Sequence, residues 1–187
     1  RHSTFLYLKK GYRPMQLSFY DVSIMCYEQI LHSTAHVLKA GREHAEANDM
    51  ALNDIVEYRL HETMNPFSFQ VISVWHHSYG AVQGMRAGEF NPPPSKPGID
   101  YAGLCDLIDE GLAEIQKETP ESMAALSGQN MYFRFGKMEI PFTTDNFLAT
   151  FSRPNLYFHA TTTYTVLRQL GTPLGKLDFL GNMKVGH

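Results

Sequence analysis

Apolar residues recur along most of this chain at spacings of three and four, which is the pattern of helices with one buried face. The first such segment covers about 20–47, and its apolar stripe is Tyr20, Ile24, Tyr27, Leu31, Ala35 and Leu38. A second apolar set, Val22, Cys26, Ile30 and Val37, lies off that stripe. Because a helix with two apolar faces often packs against a partner as well as its own core, we expect a homodimer.

Three further segments have the same periodicity, and each is predicted to be a main helix. They cover 68–87, 100–119 and a last stretch from 143–145 to Leu170, after which Gly171 fits a helix-ending position. A short helix is expected over 51–60. The sequence "GEFNPPPSKPGID" has four prolines and two glycines in thirteen residues, which predicts a loop.

Residues 131–142, "MYFRFGKMEIPF", alternate between apolar and polar on both sides of Gly136 and Lys137. This alternation predicts a β-hairpin. The tail after Gly171 is expected to be irregular. Together the elements predict an all-α fold, an antiparallel four-helix bundle with a small β-hairpin before the last helix.

Composition narrows the classes of partner. The net charge is −3, without a basic block, which argues against nucleic acid as a partner. The longest apolar runs are too short to span a bilayer, so no membrane partner is expected. Cys26 and Cys105 lack the spacing of a metal site, and two isolated cysteines fit a reducing cytoplasm.

The first fourteen residues, "RHSTFLYLKKGYRP", precede Met15, where the more regular pattern begins. Segment 1–14 is therefore either an added or leader-derived stretch or a native extension. Residues 15–187 are predicted to form a single domain.

Polar residues interrupt the apolar face of the last predicted helix. Residues that share this face by helical geometry are Leu148, Phe151, Asn155, Phe158, His159, Thr162, Val166 and Leu170. A buried imidazole without a partner costs about 1–3 kcal/mol, so the polar members need either partners or a function. Pro154 lacks a backbone N–H and is expected to disturb the helix near Thr150, one turn before His159.

Two interpretations of His159 stay open. It is either a hydrogen-bonded core histidine, or a general base or ligand in an interior pocket. His77, at the edge of the 68–87 stripe, is the best candidate to meet His159, whereas His76 points away from that stripe. His32 and His36 also point away from their stripe and are interpreted as a surface pair.

The chain resembles a family of unknown function within the DinB-like helical-bundle superfamily. The resemblance begins at "MQLSFYDVSI" and is most specific in "RPNLYFHATTTYTVLRQLGTPLGKLDFLG", so that it covers nearly all of the chain after Met15. It implies a four-helix bundle that commonly forms homodimers. The superfamily places three histidines around a divalent metal, and some members are thiol-dependent transferases or isomerases.

By this resemblance, His159 matches the first histidine of a last-helix H-x-x-x-H pair, and His77 matches the second-helix ligand. Thr163 stands where the other histidine of the pair is expected, and a threonine hydroxyl is a poor neutral ligand for zinc or nickel. No cofactor is therefore expected, unless a divalent metal binds weakly to His77 and His159.

The leading hypothesis is a small-molecule enzyme or degenerate enzyme with a polar pocket around His159. Catalysis is assigned to His159 and Tyr164, and contact with a small-molecule ligand to Asn155, Thr162, Gln70 and Trp75. The competing hypothesis is a non-catalytic dimeric bundle that binds a ligand or acts as a scaffold, in which the polar cluster only fixes the register of the helices.

Overall fold

The computed structural model describes residues 17–183, and the predicted segment 1–14 lies outside them. The helices are α1 (Phe19–Ala47), α2 (Leu52–Glu57), α3 (Phe67–Trp75), α4 (Ala81–Ala87), α5 (Tyr101–Ile115), α6 (Pro120–Ala124), α7 (Thr144–Phe147), α8 (Arg153–Gln169) and α9 (Lys176–Leu180). The strands are β1 (Glu89–Phe90), β2 (Asn130–Phe135) and β3 (Met138–Thr143). Two π-helical turns, His76–Gly80 and Leu148–Ser152, join α3 to α4 and α7 to α8.

The helices enclose one apolar core. Helix α1 packs against α5 and α8, and α3 packs against the same two helices. The largest fully buried side chains of this core are Tyr27, Tyr101, Phe67 and Phe147. The fold is thus mostly helical, as the periodicity predicted.

The start of α1 follows from its first residues. The hydroxyl of Ser18 accepts the backbone N–H of Asp21 at 3.1 Å, and the Asp21 carboxylate accepts the N–H of Ser18 at 2.9 Å. This capping box satisfies two amides that the first helical turn leaves without partners.

A three-stranded sheet corrects the all-α prediction. The predicted hairpin is present as β2 and β3, which are antiparallel and joined at Gly136 and Lys137. Strand β1, in a segment predicted to be a loop, pairs in parallel with β2. Gly88 ends α4 in the left-handed region (φ 70°), and its carbonyl accepts the N–H of Tyr132 at 3.0 Å, so the chain turns directly onto the hairpin.

The tail after Gly171 is also more ordered than predicted. It contains α9, whose start is fixed by the Asp178 carboxylate accepting the N–H of Gly175 at 2.6 Å. Helix α9 packs against α1, and Gln29 Nε2 donates to the carbonyl of Leu180 at 2.7 Å. Local capping, which weak periodicity does not reveal, accounts for this helix.

The second apolar set of α1 is not a free surface. Ile30 and Val37 are buried within the chain, while Val22 and Cys26 are half-buried. These four residues therefore no longer support a homodimer, which stays a prediction.

Pro154 lies at the second position of α8, directly after the π-helical turn Leu148–Ser152. The predicted disturbance before His159 thus takes the form of a π turn. Such a turn holds one more residue than an α turn. The backbone stays helical through Ser152 and Arg153, so the helix continues past a proline that has no N–H to donate.

Close packing at Gly41 provides a test of the fold. A Cβ at this position would lie 2.6 Å from Tyr101 Oη and 2.8 Å from the Leu167 methyl carbons, so Gly41→Ala is expected to lower the free energy of unfolding by about 1–3 kcal/mol. Urea denaturation measures the change. The control is Gly175→Ala, whose Cβ would approach nothing closer than 3.7 Å. A Gly41→Ala variant as stable as the control would contradict the packing of α1, α5 and α8.

Candidate functional site

Two buried imidazoles lie side by side between α8 and the first π-helical turn. The rings of His77 and His159 are nearly parallel, with 13° between their planes and 5.9 Å between their centroids. His77 is 4% exposed and His159 is 9% exposed. The structure therefore brings together the two histidines that the sequence analysis paired.

Gln70 on α3 fixes the protonation of the His159 ring. Its side-chain nitrogen donates to the carbonyl of Asn65 at 3.0 Å, so its side-chain oxygen faces His159 Nδ1 at 2.8 Å. An amide oxygen only accepts, so Nδ1 must carry the proton. In the neutral ring, the lone pair is then on Nε2, the nitrogen left for a ligand.

His77 is held through its backbone instead of its ring. Its carbonyl accepts the Ser152 hydroxyl at 2.8 Å, and Ser152 Oγ in turn accepts the hydroxyl of Tyr27 at 3.1 Å. Its Nδ1 is buried and has no hydrogen-bond partner among residues 17–183. No neighbour in that range therefore fixes the tautomer of His77, in contrast to His159.

Burial keeps these imidazoles uncharged. It lowers the pKa of His159 to about 4. Burial, with smaller contributions from His76 and His159, lowers the pKa of His77 to about 3. The pKa of His76 is lowered by burial as well. At pH 7 both rings of the pair are therefore neutral.

A pocket of about 200 Å³ adjoins the two rings. Its lining is mainly apolar and consists of Phe69, His77, Phe90, Pro92, Pro93, Phe133, Phe151, Asn155 and His159. Asn155 donates one side-chain N–H to the carbonyl of Phe151 at 2.8 Å, which leaves its side-chain oxygen as an acceptor and its second N–H as a donor. No lysine, arginine, aspartate or glutamate is part of this lining.

The other predicted ligand residues lie elsewhere. The hydroxyl of Thr162 donates to the carbonyl of Phe158 in its own helix at 2.8 Å. Tyr164 contacts Phe179 edge to face, with 6.0 Å between the ring centroids. Trp75 packs against Tyr79 and lies under the ammonium group of Lys96. These three side chains do not line the pocket, whereas Gln70 acts on it through His159.

The predicted inner face of the last helix is partly wrong. Phe158 is 57% exposed, while Leu156 and Thr163 are buried. The extra residue of the π turn rotates α8 relative to the residues before it, so a uniform 100° wheel drawn through Pro154 assigns the face incorrectly.

His76 is also buried, so the prediction from helical periodicity that it points away from the apolar stripe is wrong. Its ring stacks on Phe90 with 4.3 Å between centroids, and its Nε2 lies 2.7 Å from the carbonyl of Asn91. The segment after α4 folds back over the first π-helical turn and covers this ring. His36 is a surface residue as predicted, and its Nε2 lies 2.8 Å from Asp178 Oδ1.

Five of the nine lining residues were missed by sequence reasoning, and Phe69 on α3 is one of them. Phe90, Pro92 and Pro93 come from the segment predicted to be a loop, and Phe133 comes from β2. Aromatic residues next to a proline-rich stretch were the available signal. Their meeting with α8 depends on the parallel pairing of β1 with β2, which no local pattern indicates.

The described residues have a DinB-like helical fold. The structure is similar to the crystal structure of a DinB family member protein from Shewanella denitrificans, with a TM-score of 0.74 and 20% identity over 90% of this chain and 94% of that chain. At this identity the similarity shows the fold alone. No curated protein matches the chain.

The chain belongs to the family described as "Domain of unknown function (DUF1993)", which matches residues 19–180. The resemblance to a family of unknown function with a DinB-like fold is therefore confirmed. Within residues 17–183 no three His, Cys, Asp or Glu side chains are grouped so that they could hold a metal ion. In the same range no helix is both long and apolar enough to cross a membrane.

The lowered pKa of His159 predicts a pH-dependent stability. Between pH 6.5 and about 4, the unfolded chain binds a proton that the folded protein does not, so the free energy of unfolding falls as the pH falls. From pH 7 to pH 5, His159 alone should account for a loss of about 2 kcal/mol. Urea denaturation at pH 7, 6 and 5 measures it.

The variant His159→Phe should lose correspondingly less stability over this range, because it has no proton to bind at that position. The control is Thr161→Ala, which changes an exposed position of α8 without removing a titratable group, and it should follow the wild type. Equal pH dependence in the wild type and His159→Phe would contradict a buried neutral imidazole.

Proposed function

We propose that the protein is a degenerate enzyme or binding protein of the DinB-like group that holds a small organic molecule beside His159. We further propose that the fold is an antiparallel four-helix bundle. Its four helices are α1, the continuous pair α3 and α4, α5, and α8. The homodimer and the cytoplasmic location also stand as proposals.

One observation carries this proposal. His159 Nδ1 donates its proton to Gln70, so the lone pair of Nε2 is available at a pocket with aromatic walls. A purely structural core histidine would have hydrogen-bond partners for both ring nitrogens, and side chains would pack closely around it without a pocket. Here only Nδ1 has a partner among the hydrogen bonds of the described residues, and a 200 Å³ pocket adjoins the ring. Both features support ligand binding over a purely structural role.

The protonation properties support binding more than proton transfer. A general base works best when its pKa is near the working pH. With a pKa of about 4, His159 is a weak base at pH 7 but a good hydrogen-bond acceptor. Tyr164 lies away from the pocket and has no place in this proposal.

The donor set does not fit a tightly held metal ion. Catalytic zinc sites generally have three protein ligands, and His77 and His159 supply two. The third family position is Thr163, whose hydroxyl is buried and lacks a hydrogen-bond partner among residues 17–183. A ligand histidine also usually donates its second nitrogen to a fixed partner, which Gln70 provides for His159 and which His77 lacks.

We therefore expect protein purified without added ions to contain far less than one zinc or nickel ion per chain, as measured by elemental analysis. Weak zinc binding in a titration should disappear in His159→Ala and persist in His32→Ala. One tightly held ion per chain would contradict this account of the donor set.

The scaffold alternative has support of its own, since the chain of hydrogen bonds from Tyr27 through Ser152 to His77 ties three elements together. Buried polar groups of this kind can fix the register of helices. The two functions differ in one respect, because a scaffold has no need of an accessible pocket.

A ligand-detected NMR screen with small aromatic fragments separates them. We expect several fragments to bind the wild type and compete for one site, and His159→Ala to weaken those with a hydrogen-bond donor at least fivefold, because an accepting atom is lost. The matched control, His36→Ala, removes a surface imidazole and should bind as the wild type does. Absence of any competing set of fragments would favour the scaffold.

A further inference from the structure

We propose that the pocket selects an uncharged compound of a single aromatic ring that carries a hydroxyl group, a simple phenol in chemical terms. This inference rests on the proposed function, because it names the class of ligand for the same pocket.

The volume of the pocket sets the size of the ligand. A cavity of about 150 Å³ in another protein holds one benzene molecule. The 200 Å³ here therefore accommodates a six-membered ring with a small substituent and is below the range of about 300–1,000 Å³ typical of larger ligands.

The walls favour an aromatic ring. Four phenylalanines, Phe69, Phe90, Phe133 and Phe151, contribute to the lining. Phe133 and Phe151 are tilted against each other with 4.8 Å between centroids, and Phe69 meets His159 edge to face at 5.8 Å. A planar ring can add further offset or edge-to-face contacts to such a group, each worth about 0.5–1.5 kcal/mol.

The polar atoms of the pocket are mainly acceptors. The Nδ1 proton of His159 is donated to Gln70, and one of the two side-chain N–H groups of Asn155 is donated to Phe151. His159 Nε2 and the side-chain oxygen of Asn155 remain as acceptors, and the second N–H of Asn155 remains as a donor. A hydroxyl group matches this set, because it donates one hydrogen bond and its oxygen accepts another.

The absence of charged residues from the lining disfavours ionic ligands. A carboxylate or phosphate would face acceptor atoms without a cation. An ammonium group would have no carboxylate partner, and burying an unpaired charge is far more costly than burying a hydroxyl group that is hydrogen-bonded.

Four compounds of similar size test the proposal: phenol, fluorobenzene, benzoate and benzylamine. Their dissociation constants are measured at pH 7 by NMR titration of the wild-type chain. We expect phenol to bind about five- to tenfold more tightly than fluorobenzene, which has no donor, and benzoate and benzylamine to bind more weakly than either.

The variant His159→Phe should remove the preference for phenol over fluorobenzene while retaining the binding of fluorobenzene. His36→Ala should keep the wild-type preference. The wild-type ratio of phenol to fluorobenzene decides the question by itself, so the test does not depend on the folding of the variant.

The outcomes separate this inference from the proposed function. Binding of none of the four compounds would contradict the proposed function itself. Equal affinity for phenol and fluorobenzene, or tighter binding of benzoate or benzylamine, would overturn the phenol class and leave a ligand-binding pocket in place.

Discussion

The hydrogen bond between His159 Nδ1 and Gln70 Oε1, 2.8 Å long, is the interaction on which the candidate site depends. It joins α8 to α3, and both helices contribute to the lining of the pocket. The carbonyl of Asn65 fixes the orientation of the Gln70 amide, the amide fixes the tautomer of the imidazole, and the tautomer determines that Nε2 accepts. Without this bond, a buried imidazole would have neither a fixed orientation nor a fixed proton.

Exclusion of charge is the second feature that the site requires. Burial makes both imidazoles neutral, and the aromatic rings and prolines around them keep formal charges out of the pocket. The backbone supports this arrangement through two π-helical turns, which meet where the Ser152 hydroxyl donates to the carbonyl of His77. Such turns are frequent at functional sites because they place side chains that a regular α-helix would point elsewhere.

The helices and the histidine pair could be predicted from the sequence, because periodicity reports which residues of a helix are buried and His77 and His159 lie on or beside those stripes. The hairpin was signalled by alternation around Gly136 and Lys137. Three features could not be predicted in this way. The parallel strand β1 pairs with a residue range far along the chain, the π turn shifts the face of α8 so that Phe158 is exposed, and the capped helix α9 is too short for a periodic signal. The pairing of β1 with β2 brings Phe90 and Phe133 into the lining of the pocket.

Nitrogen-15 NMR of the imidazole side chains at pH 7 tests the central claim most directly. The signals of His159 are assigned by their absence in His159→Phe. The account predicts a neutral ring that carries its proton on Nδ1, with Nε2 unprotonated, and no change between pH 7 and pH 6 because the pKa lies near 4. An imidazolium signal, or a proton on Nε2 in place of Nδ1, would contradict it.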